Sequence, residues 1–238
     1  MQSGPGTEAF ATTHWSVVLS AGGASAQSRE ALETLCRAYW RPLHAFVVRK
    51  GFDAESAKDL TQDFLASLLA RNDLANTHPS RGRFRTFLLS ALENFLANEW
   101  RKRDTRKRGG HLEFISIHDT HAGPADDPVS DLTPDKIYER RWAMTLMERA
   151  LDRLRAEAVS AGKTELFDAL REFLAEPPAP GDYPTLARKL EMTENALRVA
   201  VHRLRQRYRA LLRDEIAQTV DNPAAVDEEI RELFAALS

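Results

Sequence analysis

Residues 183–213 read YPTLARKLEMTENALRVAVHRLRQRYRALLR. The spacing predicts a short helix, Tyr183 to Leu190, a turn at Glu191-Met192, and a long helix from Thr193 to Arg213, which is helix-turn-helix spacing. Thr193 can cap the second helix, and Leu197, Ala200, Val201, Leu204, Tyr208 and Leu211 recur at three and four to form its buried stripe. Arg198, His202, Arg205 and Arg209, spaced four, three and four, form a second stripe about 110° away, with Val199 and Arg203 beyond it. One face is therefore apolar and the other cationic.

Working outward, the same period of three and four dominates the chain. Lys163 to Glu176 predicts a helix ended by Pro177-Pro178, and Thr133-Pro134 supplies a cap and a first-turn proline for a long helix with its stripe at Ala143, Met147, Ala150, Leu151, Leu154 and Ala158. Towards the N-terminus, Ser28 and Gly51 bracket a helix with Leu32, Leu35, Cys36, Tyr39, Leu43, Phe46 and Val47 on one face, which Pro42 should bend or interrupt. Asp53 caps a second helix striped by Ala57, Leu60, Thr61, Phe64, Leu65 and Leu68. A third, Arg83 to Arg103, has a wide apolar arc formed by Phe84, Phe87, Leu88, Ala91, Leu92, Phe95 and Leu96. The expectation is an all-α fold of two helical domains joined by a flexible linker, the second containing the helix-turn-helix. The boundaries are an N-terminal extension 1–27 with a short helix at 14–20, a domain 28–108, an acidic linker 109–133, a domain 134–213 and an acidic tail helix 214–238. Strand-like alternation is confined to Leu112–Ile117.

Composition, with 43% hydrophobic and 29% charged residues, is that of an ordinary soluble protein, and the net charge of −2 hides a segregation. Residues 188–213 carry eight Arg and Lys against two Glu, a local +6, whereas 214–238 carry seven acids against Arg231, a local −6. Local sign rather than net charge should select partners. A lone cysteine, Cys36, precludes an internal disulfide and fits a reducing cytoplasm; with no signal peptide or spanning segment, the chain reads as cytoplasmic, with no membrane partner. Neither a phosphate loop, a dinucleotide fingerprint nor a serine elbow occurs, so an enzyme is not expected. His118, His121, Asp119, Asp126 and Asp127 lie in the Gly/Pro-rich linker without a helix to fix their spacing, so neither a metal nor a cofactor is expected.

A second polar constellation ends the first domain. Asn94, Asn98 and Arg101 line one edge of the third helix, and the run Arg101 to Arg108 packs six cations against Asp104. Amides and guanidinium groups can hydrogen-bond base edges, while Arg81, Gly82 and Arg83 before the helix stand close to Phe84 and Phe87. Such a loop can hold an unstacked base while cations such as Lys102, Arg103 and Arg106 track the backbone. More cations are present than a helix dipole requires.

The segments YWRPLHAFV, DLTQDF, GRFRTFLLSALENFLANEWRKR and the helix-turn-helix, in that order, resemble the small two-domain, extracytoplasmic-function class of bacterial RNA polymerase sigma factors. The resemblance implies that the first domain binds and melts the −10 promoter element. The loop Arg81 to Arg83 would capture a flipped base, Asn94 and Asn98 would read the element, and Asp59, Gln62 and Asp63 would dock on the β′ clamp. The second domain would read the −35 element through Arg198, Val199, His202 and Arg203, beside Thr193, Asn195 and Arg205, and the acidic linker would thread the nucleic-acid channel. Core RNA polymerase, through its β′ clamp and β subunits, and promoter DNA are the implied partners. An anti-sigma factor or a Ser/Thr kinase is a further one, the kinase because Lys58 replaces a frequent acid and Ser56 and Thr61 offer hydroxyls. The alternative is a stand-alone helix-turn-helix regulator that binds duplex DNA as a dimer. The tail, striped by Ala225, Ile230, Leu233, Phe234 and Leu237, could shield the helix-turn-helix cations or simply pack as a terminal helix.

Overall fold

The structure, a computed structural model, describes residues 25–70, 83–107, 132–179, 181–220 and 223–237; the side chains of 103–107 and 223 are not described. Among the described residues the chain is helical: α1 Ala26–Arg49, α2 Ala54–Ala70, α3 Phe84–Lys107, α4 Pro134–Ser160, α5 Thr164–Leu170, α6 Asp182–Lys189, α7 Glu194–Ala217 and α8 Val226–Ala235. Short 3₁₀ turns, Arg171–Leu174 and Pro223–Ala225, follow α5 and precede α8. The chain forms two compact units, one of residues 1–145 with 217–238 and one of 146–216. The expected N-terminal helix, the linker with its strand-like segment and its histidines, and Arg81 lie outside the described residues.

The helix ends follow from local hydrogen bonding. Asp53 Oδ1 accepts the Ser56 amide at 2.9 Å, which caps α2 and holds the carboxyl below the usual carboxylate range. Thr133 Oγ1 does the same for Lys136 at 3.4 Å ahead of α4. The first helix starts earlier than its sequence suggests. Ser25, not Ser28, is the N-cap, its hydroxyl accepting the Ser28 amide at 3.0 Å, while Ser28 Oγ is buried without a partner among the described residues. The helix also runs unbroken through Pro42. Gly51, at φ 96°, takes the left-handed conformation that ends it.

In the first unit α1, α2 and α3 pack on one another. Leu32, Tyr39, Leu43, Phe46, Ala57, Phe64, Phe84, Leu88 and Leu92 are buried between them, as the apolar stripes predict. Tyr39 meets Phe84 edge to face at 5.0 Å, and its hydroxyl accepts the Trp142 indole N–H at 2.9 Å. Burial drives the Tyr39 phenol well above its ordinary pKa.

The C-terminal tail completes this unit. Thr219 carbonyl accepts the Phe84 amide at 3.1 Å, satisfying an otherwise unpaired donor at the start of α3. Arg83 and Val220 form an isolated antiparallel bridge. Val226, Glu229 and Leu233, spaced three and four, are the buried face of α8, whereas Phe234 is exposed.

Arg85 joins these parts. Its Nε and Nη2 donate to the fully buried Glu229 carboxylate at 2.8 and 3.3 Å, and Nη2 also meets Glu232. Nη1 reaches Glu139 at 3.3 Å, the guanidinium stacks over Trp142 at 4.7 Å, and the backbone carbonyl accepts the Tyr138 hydroxyl at 3.0 Å.

In the second unit, Leu170, Tyr183, Ala187, Leu197 and Val201 form the core, with Leu166, Phe173, Leu186, Leu190, Ala200 and Leu204 packed against it. Glu191, in the turn between α6 and α7, has φ 51°, an unusual conformation for a residue with a Cβ. The expected 163–176 helix is shorter as an α-helix, ending at Leu170 and tightening to 3₁₀ through Leu174.

Removing one partner of the buried pair should be costly. Arg85→Met is expected to lose about 3–5 kcal/mol in urea unfolding because the buried Glu229 loses its two-point partner and keeps only Arg83 at 3.2 Å, and Arg85→Met with Glu229→Leu should recover most of it. A second expectation concerns Cys36, which is 3% exposed, with its thiol pushed up to about 12 by burial and then by the Glu33 charge. Iodoacetamide at pH 8 should leave the native chain unlabelled and label it fully in denaturant.

Candidate nucleic-acid interface

The first candidate surface is built on α3, whose inner arc faces α1 and α2 and turns the other side outward. Asn94, Asn98, Arg101 and Lys102 are exposed on it. Lys102 Nζ is drawn back to Glu99 at 2.6 Å, an exposed pair that another anion can displace. Arg103 and Arg106 lie on the same helix.

Beside the asparagine stripe is a feature the charge pattern concealed. Lys50, Phe52, Glu93, Leu96, Ala97 and Trp100 line a shallow depression of about 350 Å³. Trp100 is 47% exposed and stands edge-on to Phe52 at 5.9 Å. An exposed indole next to cations can stack an unpaired base. The signal was the tryptophan inside EWRKR, easily overlooked among its cations.

Arg83 is different. Its guanidinium is 22% exposed and meets three carboxylates of α8: Glu228 at 2.9 Å, Glu229 at 3.2 Å and Glu232 at 2.5 Å. Glu228, Glu229 and Glu232 of the tail are thus engaged by Arg83 and Arg85, where the charge pattern had offered the cations of 188–213.

On α2, Lys58, Asp59, Gln62 and Asp63 form an exposed polar face opposite Ala57, Leu60 and Phe64. Thr61 belongs to the inner face, its hydroxyl donating to Ala57 carbonyl at 2.7 Å, and it is fully buried. Ser56 is partly exposed, so of the two hydroxyls only Ser56 offers any surface to a modifying enzyme.

The second surface is built on α7. Thr193 Oγ1 accepts the Ala196 amide at 3.2 Å, and Leu197 and Val201 seat the helix on the core. Asn195, Arg198, Val199, His202 and Arg203 are exposed on the outer side. Arg198 lies over the Tyr183 ring at 4.0 Å, with Glu194 3.9 Å from its guanidinium, so its direction is set by α6. Arg205 instead folds back, Nη2 donating to Ala175 carbonyl at 3.2 Å. Arg207 makes a two-point pair with Glu157 at 2.8 and 2.6 Å. Arg149 and Arg153 each donate to the buried Glu215 at 2.8 Å. On α7, Arg205 and Arg207 are therefore held by internal partners, while Arg198, His202 and Arg203 are exposed towards its N-terminal end and Arg209 and Arg213 are exposed further along.

No protein-family model matches the chain, and no curated protein or solved structure matches it either.

This division has a measurable consequence. Arg207→Ala should lower stability by less than about 1 kcal/mol. The Arg207 hydrogen bond holds the Glu157 carboxyl below its ordinary value, so the stabilisation is complete above the usual glutamate range and lost as pH falls through the depressed value. Urea midpoints of wild type and Arg207→Ala should accordingly converge at low pH.

Proposed function

We propose that the chain is a promoter-specificity subunit of the extracytoplasmic-function sigma class, which binds core RNA polymerase through its β′ clamp and β subunits and directs it to promoter DNA. It acts without catalysing a reaction. The observation that carries this reading is that two separate units each expose a hydrogen-bonding and cationic face on a rigid helix. One is Asn94, Asn98 and Arg101 on α3, and the other is Arg198, Val199, His202 and Arg203 on α7.

In this reading α6, the turn and α7 form the helix-turn-helix that enters a major groove at the −35 element. Arginine there binds guanine edges or phosphates, and Val199 offers an apolar contact to a thymine methyl. The α3 face takes the −10 element as a separated strand, with the asparagine amides contacting base edges and Arg101 and Lys102 contacting phosphates. The polar face Asp59, Gln62 and Asp63 docks on polymerase. That two recognition faces lie on different units supports this over a dimeric repressor, which needs no strand-separating surface.

Reconstitution with core RNA polymerase tests it: runoff transcription from the DNA upstream of the chain's own coding sequence is expected. Tight binding to that duplex without polymerase, with no added transcription, would instead establish the stand-alone regulator. Within the complex, Arg203→Ala should cost about 1–3 kcal/mol for each base the arginine reads and relax specificity at that position. Lys102→Ala should weaken all sequences alike and flatten the salt dependence. A uniform loss from both would contradict the division between reading and gripping.

A further inference from the structure

The start of α3 has an electrostatic peculiarity. A helix N-terminus is the positive end of the dipole, and the first turn of α3 contains no acid, yet Arg83 and Arg85 both stand there. The compensating charge comes from α8. Asp227, Glu228 and Glu229 form its first turn, so Glu228 and Glu229 sit at a favourable end of their own helix as well as on the arginines.

The two arginines are held differently. Arg85 is 7% exposed and held by Glu229, Glu232, Glu139 and Trp142, so it is part of the core. Arg83 is 22% exposed, and its closest partners, Glu228 and Glu232, have side chains 56% and 38% exposed. Pairs open to solvent contribute little net free energy and are screened by salt. A denser anion, such as a string of phosphates, can compete for Arg83 with these two exposed carboxylates; Arg85 then loses Glu232 but keeps the Glu229 pair, and Glu229 stays 3.2 Å from Arg83.

We propose that α8 is an acidic lid over Arg83: Glu228 and Glu232 neutralise this cation in the free chain, and a single-stranded nucleic-acid backbone binds Arg83 by displacing them. The idea rests on the reading of the α3 surface as a nucleic-acid face. It gives the tail a regulatory role at that surface, keeping the free protein from holding single strands strongly.

The test uses the full chain without polymerase, with a fluorescein-labelled single-stranded DNA oligonucleotide as probe and anisotropy read across a salt series. Glu228→Gln with Glu232→Gln should tighten binding about fivefold at low salt and steepen the salt dependence by about 0.7, the increment for one added phosphate contact to a single strand. Adding Arg83→Ala to that variant should abolish the gain, and Arg83→Ala in the wild type should weaken binding, but by less than the double variant gains, because there the carboxylates offset part of what the arginine contributes. A gain that survives Arg83→Ala would be a bulk charge effect and would overturn the lid, as would unchanged affinity in the double variant. Glu229 is left intact, and matching urea midpoints establish that folding is preserved. As an independent readout, amide hydrogen exchange in Val226–Ala235 should quicken when wild type is saturated with the oligonucleotide; unchanged exchange would also overturn the proposal. Failure of runoff transcription would sink the promoter reading alone, because this assay contains no polymerase.

Discussion

The first unit depends on one buried charge pair. Arg85 enters the core on α3 because Glu229 arrives on α8 with both carboxylate oxygens aligned, and without that partner a guanidinium 7% exposed would be prohibitively costly. The pair orders more than itself. Stacking of Arg85 over Trp142 helps to fix an indole whose N–H reaches Tyr39, and Tyr138 closes on the Arg85 carbonyl. Segments more than a hundred residues apart are thereby held to one arrangement by directional bonds, which apolar packing alone would not specify so narrowly.

The same pairing logic explains the apparent charge segregation. The acidic tail and the basic helix are not two opposed patches. Glu215 is consumed by Arg149 and Arg153, Glu229 by Arg85, and Glu228 and Glu232 by Arg83. On the basic side, Arg207 is matched by Glu157 and Arg205 by a carbonyl. Once these internal pairings are subtracted, Arg198 and Arg203 stand exposed on the N-terminal half of α7, flanking Val199 and His202, with Arg209 and Arg213 exposed further along.

What is legible in the sequence is local. The stripes of α1, α2, α3 and α7 follow from apolar spacing, and the Asp53, Thr133 and Thr193 caps follow from side-chain reach over three residues. The start of α1 is not legible in this way, because Ser25 and Ser28 are chemically equivalent caps and only the buried environment of Ser28 separates them. The place of the tail is hidden for a different reason. A carboxylate such as Glu229 reads as solvated until a cation 144 residues away is brought to it, and no periodicity encodes that meeting. The inward face of α8 consequently includes a glutamate between Val226 and Leu233, while Phe234, the larger hydrophobe, stays outside.

A surface that discriminates must be more ordered than the solvent it displaces, because side chains frozen on binding cost about 0.5–1.5 kcal/mol each. On α7 much of that ordering is already in place. Tyr183 sets the direction of Arg198, Thr193 secures the first turn, and the Arg207–Glu157 and Arg149–Glu215 pairs hold the helix further along. The cations tied to internal carboxylates therefore help to fix the helix on which Arg198, His202 and Arg203 keep a constant mutual geometry. The α3 face is supported in a different way, by an apolar arc buried against α1 and α2 and, at its N-terminus, by carboxylates from the chain's other end. Both faces thus owe their geometry in part to contacts made behind them, Tyr183 beneath Arg198 on α7 and the Arg85–Glu229 pair at the start of α3.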